Sequence, residues 1–254
     1  MEEKITEAAK RYGFNLEFRA SEILKKNHYQ VALNTVNTVN ELPHETDIFA
    51  WDISGLAIAA ECKGAEQNSI LLAIKETSNK LNSFSTENKK FKESEYTLGQ
   101  FEPCENNYFF TFSGDFFKTE NNGDLKKMTR NDDSNNFYKA INQIQASIIS
   151  ASKITFPLIQ GNIVKTIIPM IITNSDIYVI DYASGPQPNV NQHKWILHKA
   201  IVSIDLCLQE NAMMLSFPII NINYLGDFLT KCLGYNLTTN CYCLVDGALD
   251  TQSK

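Results

Sequence analysis

Charged side chains stand at the ends of two apolar runs in the segment "HETDIFAWDISGLAIAAECKG" (44–64). We predict two antiparallel strands joined by a turn at Ser54, because Ser followed by Gly favours a turn between apolar runs. Side chains alternate between the two faces of a strand, so Glu61 and Lys63 share one face and Cys62 lies on the other. Ionised groups at the end of a buried strand need a charged partner or a metal ion.

A regular hairpin around Ser54 pairs Asp47 with Glu61. Side chains opposed in this way have Cβ atoms about 4.5–5.5 Å apart, and two carboxylates so close repel each other unless a cation lies between them. Mg²⁺ binds oxygen ligands and commonly takes one or two carboxylates together with water and phosphate. The pattern therefore predicts a Mg²⁺ site, with Mn²⁺ as a substitute, whose ligands are Asp47 and Glu61. Lys63 would hold a phosphate oxygen or help to deprotonate the attacking water.

The segments around this hairpin predict a mixed α/β fold. Residues 15–31 indicate a helix followed by a strand, because an apolar stripe at helical spacing runs through their first part. The stripe consists of Leu16, Ala20, Ile23 and Leu24. Helical periodicity also predicts helices in 68–84, 137–153 and 224–236. Apolar runs predict further strands in 106–114, 166–174, 176–181, 194–205 and 213–223, so we expect a sheet flanked by helices.

The composition of the 254 residues is that of an ordinary globular protein, with 43% apolar and 20% charged residues. The net charge of −6 argues against a surface coated with positive charge for nucleic acid, so DNA affinity would come from local basic runs such as 89–92 and 125–130, or from a partner. No apolar run approaches the ~18 residues of a membrane span, and the charged start does not resemble a signal peptide. The six cysteines show no metal-ligand spacing, and we expect a reduced, cytoplasmic protein without membrane contact.

The hairpin resembles the active-site motif of the PD-(D/E)xK nuclease superfamily, in which an aspartate on one strand is followed by (D/E)xK on the next. Here "TDI" supplies Asp47, and "ECKG" begins fourteen residues later at Glu61. The preceding "LEFRASEILKKNHYQV" resembles the helix of the Mrr-like branch, with Glu17 in the place of its glutamate. Thr46 stands where the family often has proline. The segment "PMIITNSDIYVID" (169–181) resembles the late apolar hairpin of these proteins.

This resemblance implies a restriction-endonuclease-like fold, a mixed central β-sheet flanked by α-helices. A single domain would span residues 1–254, with a nuclease core at about 13–160 and a C-terminal α/β extension of the sheet. The implied activity is Mg²⁺-dependent DNA cleavage by Asp47, Glu61, Lys63 and Glu17, in restriction or phage defence. We expect a homodimer, because cutting both strands of a duplex takes two active sites or two visits.

Two other interpretations remain open. The chain could be a catalytically silent subunit of the same fold that binds nucleic acid or acts as a scaffold. The acidic composition favours that function, or a nuclease whose partner subunit supplies target recognition, whereas the complete set of Asp47, Glu61 and Lys63 favours the enzyme. Glu61 and Lys63 could also be a surface ion pair at a strand end, although the apolar run before them and the opposing Asp47 argue against full exposure.

Overall fold

The computed structural model describes fourteen parts of the chain. These are residues 14–39, 41–63, 69–75, 96–98, 101–103, 110–120, 122–127, 136–152, 165–182, 185–202, 213–233, 235–236, 241–244 and 249.

Three α-helices lie within these residues, and each overlaps a segment whose periodicity predicted a helix. They are α1 (Phe14–Lys26), α2 (Asn136–Ser152) and α3 (Leu225–Lys231), the last preceded by a 3-10 turn at Ile222–Tyr224. Helix α1 carries an acidic residue in its first turn and two lysines in its last turn, which suits the helix dipole. None of the described helices has the length and apolar character needed to cross a membrane.

Fifteen strands occur in the described residues. They are β1 (Gln30–Val39), β2 (Leu42–Trp51), β3 (Leu56–Lys63), β4 (Ser69–Lys75), β5 (Tyr96–Leu98), β6 (Phe101–Pro103), β7 (Phe110–Thr119), β8 (Leu125–Lys127), β9 (Lys165–Thr173), β10 (Asp176–Asp181), β11 (Asn189–His193), β12 (Trp195–Val202), β13 (Met213–Asn221), β14 (Tyr235–Asn236) and β15 (Cys241–Leu244).

Most of the strands form one large mixed sheet. Its order is β1-β2-β3-β9-β13-β12-β7-β4-β10-β11, with β5 added to β9 and β8 added to β7. Strand β9 is parallel to β3 and to β13, whereas the hairpin β2–β3 and the pair β12–β13 are antiparallel. Strands from both halves of the chain therefore alternate in one sheet. The mixed α/β class predicted from the sequence is confirmed.

Strand β3 is buried on both faces because helices cover both faces of the sheet there. Ala57 and Ala59 of β3 belong to a core cluster with Ile144 and Ile148 of α2. The alternate residues of β3, from Leu56 to Cys62, belong to a second cluster with the apolar stripes of α1 and α3. The last residues of β3 consequently emerge between α1 on one face and α2 on the other.

Two sequence predictions about this sheet are wrong. Residues 69–75, expected to begin a helix, form strand β4, while 76–84 lie outside the described residues. The run is short, and β4 is hydrogen-bonded on both edges, to β7 and to β10, which outweighs its weak helical periodicity. Residues 169–181 do not form the expected hairpin either. Both edges of β9 are occupied by β3 and β13, so β10 pairs with β4 and β11 instead.

Candidate active site

The turn between β2 and β3 fixes the register of the candidate site. Asp52 Oδ1 accepts hydrogen bonds from the backbone nitrogens of Ser54 and Leu56 and from the Ser54 hydroxyl. Gly55 has a φ of 91°, a left-handed conformation that costs glycine little. The register from Trp51–Ala57 to Ile48–Ala60 is the predicted one, but the predicted pair of Asp47 and Glu61 is not part of this ladder.

Asp47 lies at an interruption of the ladder, one residue beyond this last pair. In the neighbouring strand, Asn34 has a φ of 51°, and the β1–β2 register passes from Leu33–Ile48 to Thr35–Thr46. Here the backbone nitrogen of Cys62 donates a hydrogen bond of 2.7 Å to Asp47 Oδ2. The Asp47 carboxylate thus takes the place of a backbone carbonyl as the acceptor. Asp47 is therefore tied to the end of β3 beside Glu61.

A lysine ammonium lies between the two carboxylates. Lys63 Nζ is 3.4 Å from Glu61 Oε2 and 3.8 Å from Asp47 Oδ2. The Glu61 side chain is fully buried, whereas the side chains of Asp47 and Lys63 are 16% and 13% exposed. Glu61 is thus the most deeply buried residue of the site, and Asp47 and Lys63 are its partly exposed members. The three residues that the sequence singled out are close together, and the lysine partly compensates the two carboxylates.

Helix α2 supplies a contact that the sequence analysis missed. The buried Ser147 hydroxyl donates a short hydrogen bond to Glu61 Oε1, and His44 Nε2 lies 2.9 Å from Ser147 Oγ. Serine has a single hydroxyl proton, so His44 must be the donor to Ser147 when that proton is given to Glu61. The sequence could have indicated that Ser147 has a buried partner. Ser147 falls on the apolar face of α2, and a buried hydroxyl needs a hydrogen-bond partner.

The surroundings of Glu61 disfavour its ionised form. Burial is the largest effect and, together with the negative charge of Asp47, raises the Glu61 pKa to about 7. Lys63 and the Ser147 hydroxyl act in the opposite direction and lower this pKa. A buried carboxyl group whose charge is only partly compensated gains from an additional cation.

Glu17 approaches the site from α1, on the other face of the sheet. Leu16 and Ala20 beside it are buried as the predicted stripe requires, and Glu17 itself is half-buried. Burial, followed by the negative charges of Asp47 and Glu45, raises the Glu17 pKa to about 6. Lys63 lowers that pKa, so Glu17 is within electrostatic range of Asp47 and Lys63.

Cys62 has the structural position predicted for it. Its side chain packs in the core cluster under α1, on the face opposite Glu61. Burial, with the neighbouring carboxylates, raises the pKa of the Cys62 thiol well above its ordinary value. A thiol that stays protonated is a poor nucleophile, so covalent catalysis by Cys62 is disfavoured.

A polar rim continues from Lys63 across the ends of the parallel strands. Lys63 pairs with Thr173 in β9, and Thr173 pairs with Asn221 in β13. Beyond them, the backbone nitrogen of Asn223 donates to Asn221 Oδ1, and Arg19 Nη2 donates to Asn223 Oδ1 at 3.1 Å.

Aromatic rings and a second cation extend this rim. Lys194 Nζ lies 5.8 Å from the centre of the Tyr224 ring and 6.0 Å from that of Trp195, distances typical of cation–π contacts. We call this surface the basic rim, and it consists of Arg19, Asn223, Tyr224 and Lys194.

The oxygen donors of the site fit a hard divalent cation. In the part of the chain that the structure describes, no three or more His, Cys, Asp and Glu side chains are grouped as metal ligands. Mg²⁺ needs only one or two protein carboxylates, because water and substrate phosphate complete its shell. Asp47 and Glu61 meet this requirement, since both already contact one cationic group, the Lys63 ammonium.

No family model, no curated protein and no solved structure matches the chain. The resemblance of residues 44–64 to a nuclease motif therefore stays a prediction. The residues around Glu61 and their contacts carry the functional inference.

Proposed function

We propose that the protein is a metal-dependent endonuclease of restriction-endonuclease-like fold that hydrolyses DNA phosphodiester bonds, as a restriction or phage-defence effector. The observation that carries this proposal is the Lys63 ammonium between Asp47 and the buried Glu61. A fully buried carboxylate beside a second carboxylate, with one lysine for both, is costly as a purely structural device. It suits a site that must hold a cation beside a negatively charged phosphate.

The roles of the residues follow from their positions. Asp47 and Glu61 would hold Mg²⁺ or Mn²⁺ in place of the contacts that they make with Lys63. The bound ion supplies Lewis-acid activation and neutralises charge on the phosphate. Lys63, partly exposed beside Asp47, would bind a phosphate oxygen, and its positive charge would favour ionisation of the attacking water. Glu17 adds a carboxyl group with a pKa of about 6, suited to accepting a proton near neutral pH.

The basic rim supports a nucleic-acid substrate despite the net charge of −6. Arg19 and Lys194 would bind phosphates beside the scissile bond, and Tyr224 offers a ring for base stacking. Of the two basic runs named from the sequence, 89–92 lies outside the described residues. The other contributes β8, which is separated from β3 by four strands of the sheet. Assembly as a homodimer, or with a partner subunit that supplies target recognition, would complete DNA binding.

A catalytically silent subunit is the second candidate. It is favoured by the contacts of Glu61, because Ser147 and Lys63 already satisfy both of its oxygens without a metal ion. In such a subunit the charged cluster would fasten the end of β3 to α2. The fold would then serve nucleic-acid binding or scaffolding.

Cleavage of plasmid DNA by the purified chain tests the proposal. We expect nicking with Mg²⁺ or Mn²⁺, loss of nicking with a chelator, and loss in Asp47→Asn. A purified chain that binds DNA but cuts neither DNA nor RNA under these conditions would favour the silent subunit. Cleavage of RNA alone would retain the mechanism and change the substrate.

A further inference from the structure

The two oxygens of Glu61 face different partners. Oε1 points towards α2 and accepts the Ser147 hydrogen bond, whereas Oε2 faces Lys63 Nζ at 3.4 Å. The same ammonium is 3.8 Å from Asp47 Oδ2. The rotation of the carboxylate is therefore set from the α2 side, and Oε2 is the oxygen available to a cation shared with Asp47.

When Glu61 is ionised, the hydrogen bonds behind Oε1 have one direction. Ser147 Oγ lies 2.9 Å from His44 Nε2 and gives its single proton to Glu61, so the proton between His44 and Ser147 must come from His44. His44 and Ser147 then act as successive donors that end at Oε1. A chain of donors of this kind polarises the terminal hydroxyl and favours an oxygen that acts only as an acceptor.

We propose that Ser147 and His44 are positioning residues, which lock Glu61 Oε1 so that Oε2 is presented with Asp47 to the divalent ion. This inference rests on the proposed function, because it assigns a task to residues behind the same site. Hydrogen bonds to a metal-ligating carboxylate fix its orientation, and losing such a partner typically weakens metal binding by roughly 10–100-fold.

The chain contains a matched control on the same helix. Ser150 is as fully buried as Ser147 and lies three residues further along α2. Its hydroxyl accepts a hydrogen bond of 2.8 Å from Asn37, the residue of β1 that pairs with His44 in β2. Removing the Ser150 hydroxyl therefore disturbs the same interface between helix and hairpin without removing a bond to Glu61.

Calorimetric titration with Mn²⁺ alone tests the inference in the full chain, with urea unfolding measured in parallel. We expect Ser147→Ala to weaken Mn²⁺ binding by roughly 10–100-fold and Ser150→Ala to leave it within twofold, although both lose stability. Ser147→Thr keeps the hydroxyl and should restore affinity. If Ser147 variants do not fold, His44 decides, because His44→Gln keeps an N–H donor of similar reach and His44→Phe removes it.

The outcomes separate the positioning role from the proposed function. Equal Mn²⁺ affinities of Ser147→Ala and Ser150→Ala, or of His44→Phe and His44→Gln where Ser147 variants do not fold, would overturn the positioning role. The metal-dependent nuclease would still stand if binding is lost in Asp47→Asn. A wild-type chain that binds no Mn²⁺ would overturn both. Weaker binding in Ser147→Ala, recovered in Ser147→Thr, would support the positioning role even if the substrate is not DNA.

Discussion

Lys63 Nζ lies 3.4 Å from Glu61 Oε2, so a cation of the protein itself touches the buried carboxylate that we assign to metal binding. The two residues are neighbours on one face of β3, and Lys63 also reaches Asp47 in β2. While no metal is bound, this ammonium supplies one positive charge against the two carboxylates. Binding of a divalent ion between the carboxylates would release Lys63 towards solvent and substrate, where it can contact phosphate.

The pH dependence of stability should report on Glu61. Its pKa rises from 4.5 to about 7 on folding, so the folded state binds more protons between these values. The contribution of Glu61 to stability is then full below pH 4.5 and falls as the pH rises through 7, by on the order of 3 kcal/mol in the absence of metal. Urea unfolding in EDTA at pH 5 and pH 8 should show this loss. Glu61→Gln should remove most of it, and an unchanged difference would contradict the buried, ionisable Glu61.

Metal binding should depend on Asp47. Mn²⁺ or Ca²⁺ should raise the melting temperature of the wild type by mass action, and Asp47→Asn should abolish the increase. Asp52→Asn is a suitable control, because Asp52 is in the same hairpin and holds the turn through three hydrogen bonds. That variant should be less stable but should respond to metal normally. Equal responses of both variants would place the metal elsewhere.

Much of this site follows from local sequence. The register was predictable because Ser54-Gly55 allows only a short turn, and the alternation along β3 then places Glu61 and Lys63 on one face. The stripe of α1 was equally local. Ser147 was not predictable as a partner of Glu61, because 86 positions separate them and only the packing of α2 on the sheet brings them together.

The wrong predictions have a related cause. Periodicity cannot distinguish a short buried strand from the start of a helix, as in β4, whose identity is fixed by its neighbours β7 and β10. A turn at Asn174-Ser175 suggested a hairpin, but the backbone nitrogen of Ser175 bonds to the Thr173 hydroxyl, and the Asn221 amide bonds to the Ser175 carbonyl. The second of these contacts comes from β13, a strand that lies far away in the sequence.

Cys62 should be dispensable for catalysis. Its thiol is buried under α1 with a raised pKa, so it neither ionises readily nor faces the substrate. Cys62→Ala should cost about 1 kcal/mol of stability and leave the cleavage rate per folded molecule close to that of the wild type. Thiol alkylation of the native protein should likewise be slow at this position. Loss of cleavage in a folded Cys62→Ala protein would require a direct role for the thiol.

DNA affinity should depend on the basic rim. Replacing Arg19 and Lys194 together with alanine should weaken binding and reduce the slope of log affinity against log salt by roughly 2, one unit for each lost phosphate contact. The control is the double alanine variant of Lys25 and Lys231, each of which is exposed and paired with a carboxylate on its own helix. The salt dependence of binding is measured for both double variants by fluorescence anisotropy with a short duplex. Equal slopes would exclude the rim as the DNA contact.

Cleavage by Lys63→Met, measured together with its Mn²⁺ affinity, tests the central claim most directly. Methionine keeps most of the aliphatic stem and removes the charge, so the metal-bound fold should persist and Mn²⁺ should still bind. Cleavage should fall by several orders of magnitude, because phosphate stabilisation and water activation are lost together. Lys25→Met, at an exposed lysine of α1, should cut as the wild type does. Near wild-type cleavage by Lys63→Met would contradict the nuclease site.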